Sequence, residues 1–234
     1  MLMKLLLTSD GLTNPSIENA LEKLVGKPRQ DIKIAFIPNA AFPEDEDKHQ
    51  SRDWLADDLY RIKEFCGFID VISLTDLSRE QIRDRLEYCN VIFIGGGNSF
   101  YLSYCMKTSG LFEILPELLE SRVYAGISAG SMVATDNLRT TSQAIKNTTA
   151  FYNKEYAEFG PDGMSSAETA KLVDFVVRPH FNSFTFPNVQ GDFLAKIAND
   201  VNIPLYAIDN NSAVMVDGEA IQIVGEGEYK VFNV

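Results

Sequence analysis

Histidine is scarce in this 234-residue sequence: there are two, His49 and His180. A mechanism that needs an imidazole near neutral pH therefore has only two places to find it. Cysteine is nearly as rare. Cys66, Cys89 and Cys105 are odd in number and lack C-x-x-C spacing, which excludes a disulfide framework and a zinc or redox motif; they read as reduced thiols of a cytoplasmic protein. Long apolar runs are missing too. The longest near the start, residues 5–7, is far short of a signal-peptide core, and no segment approaches the ~20 apolar residues of a spanning helix. Positive charge is in deficit: 21 Lys and Arg face 33 Asp and Glu, for a net charge of −12. That field repels phosphate backbones and anionic lipid, so neither nucleic acid nor a membrane is an expected partner. What the chain does have is apolar mass. At 45% hydrophobic residues it can bury a large core, which excludes a mainly disordered or collagen-like state.

Strand and helix patterns alternate through the first two-thirds. Apolar strand segments are expected at residues 3–8, 32–37, 69–74, 91–94 and 123–126. Helical spacing occupies 15–25 after Asn14 as N-cap, 49–65, 78–86 behind a Ser78–Gln81 capping box, 99–107 and 111–121. The acidic stretch 44–47 reads as a solvated loop. Near-continuous apolar strands alternating with helices predict a mainly parallel sheet covered on both faces, a three-layer α/β/α arrangement. A further strand is expected at 172–177. After about residue 200 the pattern becomes short strands, at 205–208, 213–216, 221–224 and 229–234, with a hairpin signal at 216–219 (VDGE). One domain with a hairpin-rich C-terminal edge is the expectation for residues 1–234.

Three features could carry chemistry. The sharpest is Gly126-Ile127-Ser128-Ala129-Gly130 at the end of a predicted parallel strand. A serine on a tight strand-to-helix turn is pushed out of the sheet, and glycines flank it where a Cβ would strike neighbouring backbone. Ligands of open α/β sheets bind at this edge. The second is Gly95-Gly96-Gly97-Asn98-Ser99 at the end of the 91–94 strand. Phe100 stands where a dinucleotide fingerprint needs glycine, and no Lys-Ser/Thr pair follows to make a phosphate loop. The glycines are therefore either half of an oxyanion hole or a plain turn. The third is His180 in Arg178-Pro179-His180-Phe181-Asn182, again at the carboxyl end of an apolar strand, whereas His49 sits in a charged segment.

Taken with GGGNSF at 95–100, YAGISAGSMVA at 124–134, NLRTT at 137–141, LVDFVVRPHFNS at 172–183 and PLYAIDNNSAVMVDGE at 204–219, the chain resembles the peptidase E family of serine peptidases. That family includes aspartyl dipeptidases and, more distantly, cyanophycinases, on a fold similar to class I glutamine amidotransferases. The resemblance implies a Ser128 nucleophile, a His180 base, and an oxyanion hole from the Ala129 amide with that of Gly96 or Gly97. It implies acyl transfer to serine and hydrolysis by water, with no metal or cofactor. The expected substrate is a short peptide or small amide, and the expected assembly a monomer or homodimer.

The third catalytic member departs from the family. The Glu expected before the late hairpin falls on Asn210, and a separate acid of some aspartyl dipeptidases falls on Gln143. Either the Asn210 amide or the neighbouring Asp209 carboxylate could orient the imidazole; adjacent side chains on a regular strand face opposite ways, so Asp209 needs a turn to reach it. Family arginines that would hold an acidic substrate are absent from residues 184–193. Candidate substrate contacts are Asn98, Arg139, Arg178 and Asn182. Two other functions remain open at this point: an α/β-hydrolase esterase sharing G-x-S-x-G, and a binding protein that kept the fold without efficient turnover.

Overall fold

Apolar segments of four or five residues are too short for helices, and they form strands: β1 (Lys4–Thr8), β2 (Lys33–Ile37), β3 (Phe68–Val71), β4 (Val91–Ile94) and β5 (Val123–Ile127). In the computed structural model, which describes residues 3–43, 52–138, 140, 164, 166–186 and 189–234, these five run parallel in the order β3-β2-β4-β5-β1. Two antiparallel strands, β8 (Ser212–Asp217) and β9 (Ala220–Gly225), extend the sheet beyond β1.

Both faces of the inner parallel strands β2, β4, β5 and β1 are covered, which is why these read as near-continuous apolar runs, whereas the edge strands β3 and β9 are partly exposed. On one face lie α1 (Pro15–Val25) and α2 (Asp53–Phe65). Asn14 starts α1 by accepting the Ile17 amide, Gly26 ends it in the left-handed region, and Ile17, Ala20, Leu21 and Leu24 face the core at helical spacing. The other face carries α3 (Arg79–Tyr88), opened by the expected Ser78/Gln81 capping box, with α4 (Ser99–Thr108), α5 (Leu111–Leu118) and the four-residue α6 (Ala129–Met132). Each large apolar side chain fully buried here contributes about 1.5–3 kcal/mol relative to exposure.

The late strands depart from the expected single edge. Only β8 and β9 join the main sheet. β6 (Val176–Arg178), β7 (Leu205–Ile208) and β10 (Tyr229–Phe232) form a second sheet in the order β10-β7-β6, packed against α7 (Gly191–Val201) around its own core of Val176, Leu194, Ile197, Val201 and Leu205. The strand expected at 172–177 starts only at Val176. Upstream of it the chain is tied to the end of α6, with the Ala170 and Leu172 amides donating to Val133 and Ala134 and the Asp136 amide donating to Phe175. The 69–74 strand ends at Val71 and the 111–121 helix at Leu118. Residues 44–51, including His49, lie outside the described residues.

Candidate active site

The two sheets present their carboxyl edges to one another. In the main sheet Ile127 pairs with Thr8, and Ile94 with Gly126, so the residues after β4, β5 and β1 (Gly95–Gly97, Ser128 and Ser9) emerge side by side. In the small sheet Arg178 pairs with Ala207 in parallel register, so His180 and Asn210, two and three residues further on, also emerge together. The Phe181 amide donates to the Ile208 carbonyl at 3.0 Å and fixes that second pair.

Ser128 sits on a turn that sterics alone would disfavour. Its φ of 47° and ψ of −106° place a non-glycine residue in a sparsely populated region. The strain persists because the neighbourhood over-determines it. The Ser128 amide donates to Thr8 O, the Ser131 hydroxyl bonds both Thr8 O (2.7 Å) and Gly126 O (2.9 Å), and Thr8 Oγ1 donates to Gly126 O. Both flanking glycines are required by space: a Cβ on Gly130 would lie 2.2 Å from Ile94 O, and one on Gly126 2.6 Å from Gly130 C. Gly130→Ala is expected to destabilise the protein by about 3 kcal/mol or more, because backbone must move to admit the methyl. Urea denaturation reads this directly, and an unchanged midpoint would contradict the tight approach of the turn to β4.

His180 bridges the two edges. Its Nε2 lies 2.9 Å from Ser128 Oγ and its Nδ1 2.8 Å from Asn210 Oδ1. An amide oxygen only accepts, so Nδ1 carries the proton and Nε2 is left to accept from the serine hydroxyl. Phe186 stacks flat on the ring, 4.2 Å between centroids with 7° between planes. Desolvation is the main influence on its ionisation, partly opposed by the Asn210 hydrogen bond and reinforced by the Arg178 charge; together they lower its pKa from 6.5 to about 4. The imidazole is therefore neutral at pH 7, as a proton acceptor must be.

Asp209 does not reach the ring. Its Oδ1 accepts the Asn211 amide (3.0 Å) and the Ser212 hydroxyl (2.8 Å), and its Oδ2 accepts the Glu228 amide (2.8 Å). Gly227 leaves the space for it; a Cβ there would meet the carboxylate at 2.0 Å. Among the described residues these bonds tie it to the turn between β7 and β8 and to the backbone at Glu228, away from the ring, which corrects the alternative in which Asp209 orients His180.

The remaining sequence candidates divide. Gly96 lies against the serine, with a Cβ built on it 3.5 Å from Ser128 Cβ, and its amide and that of Gly97 have no hydrogen-bond partner among the described residues. Gly97, at φ 128°, is needed for close approach to Ala40, whose carbonyl oxygen would be 2.2 Å from its Cβ. Ala129 follows Ser128 at the start of α6. Asn98 turns its side-chain oxygen to the Phe100 and Tyr101 amides and caps α4. Arg178 is buried at 3% exposure on β6, and exposed Asn182 donates to Glu228. Arg139 and Gln143 lie outside the described residues. Two neighbours were not singled out from the sequence: Ser9, at the end of β1, and Phe186. A serine just past a parallel strand and the aromatic-rich FNSFTFP at 181–187 were the available signals. Among the described residues no cluster of three His, Cys, Asp or Glu side chains is placed to hold a metal ion, and no helix is long and apolar enough to cross a membrane.

Comparisons with known proteins bear on the family and the fold. The profile of Peptidase family S51 matches residues 5–224. Among curated relatives, Peptidase E of Streptomyces coelicolor is 26% identical over 99% of this chain and 88% of its own, and an uncharacterized peptidase of Pasteurella multocida is 27% identical over 84% and 86%. The crystal structure of a peptidase from an acI-B1 Actinobacterium superposes with a TM-score of 0.66 at 22% identity, over 99% of this chain and 91% of that one. That likeness shows the fold, the class I glutamine amidotransferase-like α/β arrangement.

Proposed function

The chain belongs to Peptidase family S51 and is a serine-type peptidase; on that premise we propose that it hydrolyses short peptides through an acyl-enzyme formed on Ser128. Ser128 Oγ attacks the scissile carbonyl carbon while its proton passes to His180 Nε2. The resulting oxyanion is held by the Ala129 and Gly96 amides, fixed donors that need no reorganisation when charge develops. His180 then returns the proton from Nε2 to the departing amine nitrogen as the C–N bond breaks. Water, deprotonated by the same nitrogen, repeats the sequence on the ester and frees the acid. Asn210 holds the imidazole in the tautomer this exchange needs. The observation that carries the proposal is the pair of contacts on one ring, 2.9 Å from Nε2 to the hydroxyl and 2.8 Å from Nδ1 to an oxygen acceptor.

Short peptides without a fixed acidic side chain fit the site best. Residues 184–193 carry no arginine, and the net charge of −12 disfavours anions. Incubation with an unblocked di- and tripeptide library, read by mass spectrometry, is expected to show turnover of a subset. No consumption of any member would overturn the proposal. The neutral third member favours one competing function, a peptide-binding protein with feeble turnover; it predicts saturable binding that Ser128→Ala leaves intact, with no products.

A further inference from the structure

Asn210 supplies an amide where a carboxylate would present oxygen whichever way it turned. An amide has a right and a wrong orientation. With Oδ1 toward His180, Nδ1 keeps the proton and Nε2 can accept from Ser128; with Nδ2 toward the ring, the ring proton moves to Nε2 and the serine loses its base. In a serine protease triad, Asn in place of Asp costs about 10⁴ in kcat through the wrong tautomer. Something must choose between the two orientations.

We infer that Ser9 is a positioning residue whose hydroxyl keeps the Asn210 amide oxygen turned to His180, an inference that rests on the peptidase function proposed above. Ser9 is buried at the end of β1. Its Oγ accepts the backbone amide of His180 at 2.8 Å, which also pins that residue in its left-handed conformation (φ 60°). The hydroxyl proton is then directed to Asn210 Oδ1 at 3.4 Å, while His180 Nδ1, at 3.5 Å, is itself protonated in this arrangement and accepts only in the other tautomer. In the observed orientation, two donors, Nδ1–H and Oγ–H, converge on an amide oxygen that has two lone pairs. If the amide flipped, its NH₂ and the hydroxyl would compete for the single lone pair of Nδ1. The hydroxyl therefore penalises the inactive orientation, by roughly the worth of one hydrogen bond, about five- to tenfold in the ratio of the two tautomers.

Imidazole ¹⁵N NMR tests this without requiring a substrate, since His49 is the only other histidine to assign. The wild type is expected to show His180 protonated at Nδ1. Ser9→Ala should raise the ratio of Nε2–H to Nδ1–H about five- to tenfold and lower kcat only in proportion to the Nδ1–H population lost, with KM unchanged, and Ser9→Thr should restore both. Ser9→Cys, a weaker donor of similar size, is the second variant should Ser9→Ala fold poorly; it should fall between Ser9→Ala and the wild type. In the Asn210→Asp background, where neither oxygen is the wrong one, Ser9→Ala should leave the tautomer untouched. A wild-type ring protonated at Nε2, a Ser9→Ala tautomer ratio equal to wild type, or equal effects in both backgrounds would overturn the inference. Absence of Ser128-dependent hydrolysis alongside the expected NMR result would instead overturn the peptidase function and leave the amide lock standing.

Discussion

Replacing Ser128 with Ala is expected to lower kcat for peptide hydrolysis by about 10⁴ while shifting stability by less than about 1 kcal/mol. The size follows from the site's own chemistry. In an enzyme with a complete triad, loss of the serine costs about 10⁶. A neutral third member forgoes the charge that would offset the imidazolium, a charge-assisted interaction worth about 1.5–3 kcal/mol, or one to two powers of ten. The wild type therefore starts lower, and less can be lost. The full 10⁴ penalty of an Asn triad is not subtracted, because that penalty came from the wrong tautomer and Asn210 presents its oxygen to Nδ1. Steady-state rates on the best peptide of the library measure the effect. Activity within threefold of wild type would remove Ser128 from the chemistry.

Asn210→Asp should act in the opposite direction, raising kcat/KM at pH 7–8 by about 10- to 100-fold. It should also move the pH profile. The base works only when unprotonated, and His180, desolvated and near Arg178, has its pKa lowered to about 4. The acid limb of kcat/KM in the wild type therefore lies near pH 4, and the enzyme is fully deprotonated at His180 by about pH 6. A carboxylate at position 210 favours the imidazolium and should raise the limb to about 6. The variant consequently gains at neutral pH and loses much of that gain at pH 5, where half or more of its imidazole is protonated. A limb that stays near pH 4 would mean that the side chain at position 210 does not bear on the ring.

Much of this site is legible in the sequence because backbone geometry dictates it. Ser128 stands out since the turn that exposes it tolerates no Cβ at Gly126 or Gly130, a requirement that leaves a written trace. His180 stands out because so few histidines compete with it. The choice between Asp209 and Asn210 is not legible. It is settled by the Glu228 amide, nineteen residues downstream, which with Asn211 and Ser212 claims the Asp209 carboxylate for the turn. Ser9 is illegible for a related reason: a serine after a strand is ordinary until β1 is known to lie beside β5 and to face the small sheet. That small sheet is itself hidden, because alternation and turn signals do not say which of two sheets a short strand such as β7 or β10 will join.

Covalent capture of the nucleophile reaches the centre of the account in one step. A peptidyl phosphonate diester, incubated with the intact protein and followed by peptide mass spectrometry, requires an activated hydroxyl and an oxyanion hole but no knowledge of the natural substrate. One adduct per chain is expected, on the peptide carrying Ser128, and His180→Ala should slow its formation by at least about 100-fold. A protein that stays unmodified, or one labelled elsewhere with Ser128 untouched, would show that the hydroxyl 2.9 Å from His180 Nε2 is not a nucleophile.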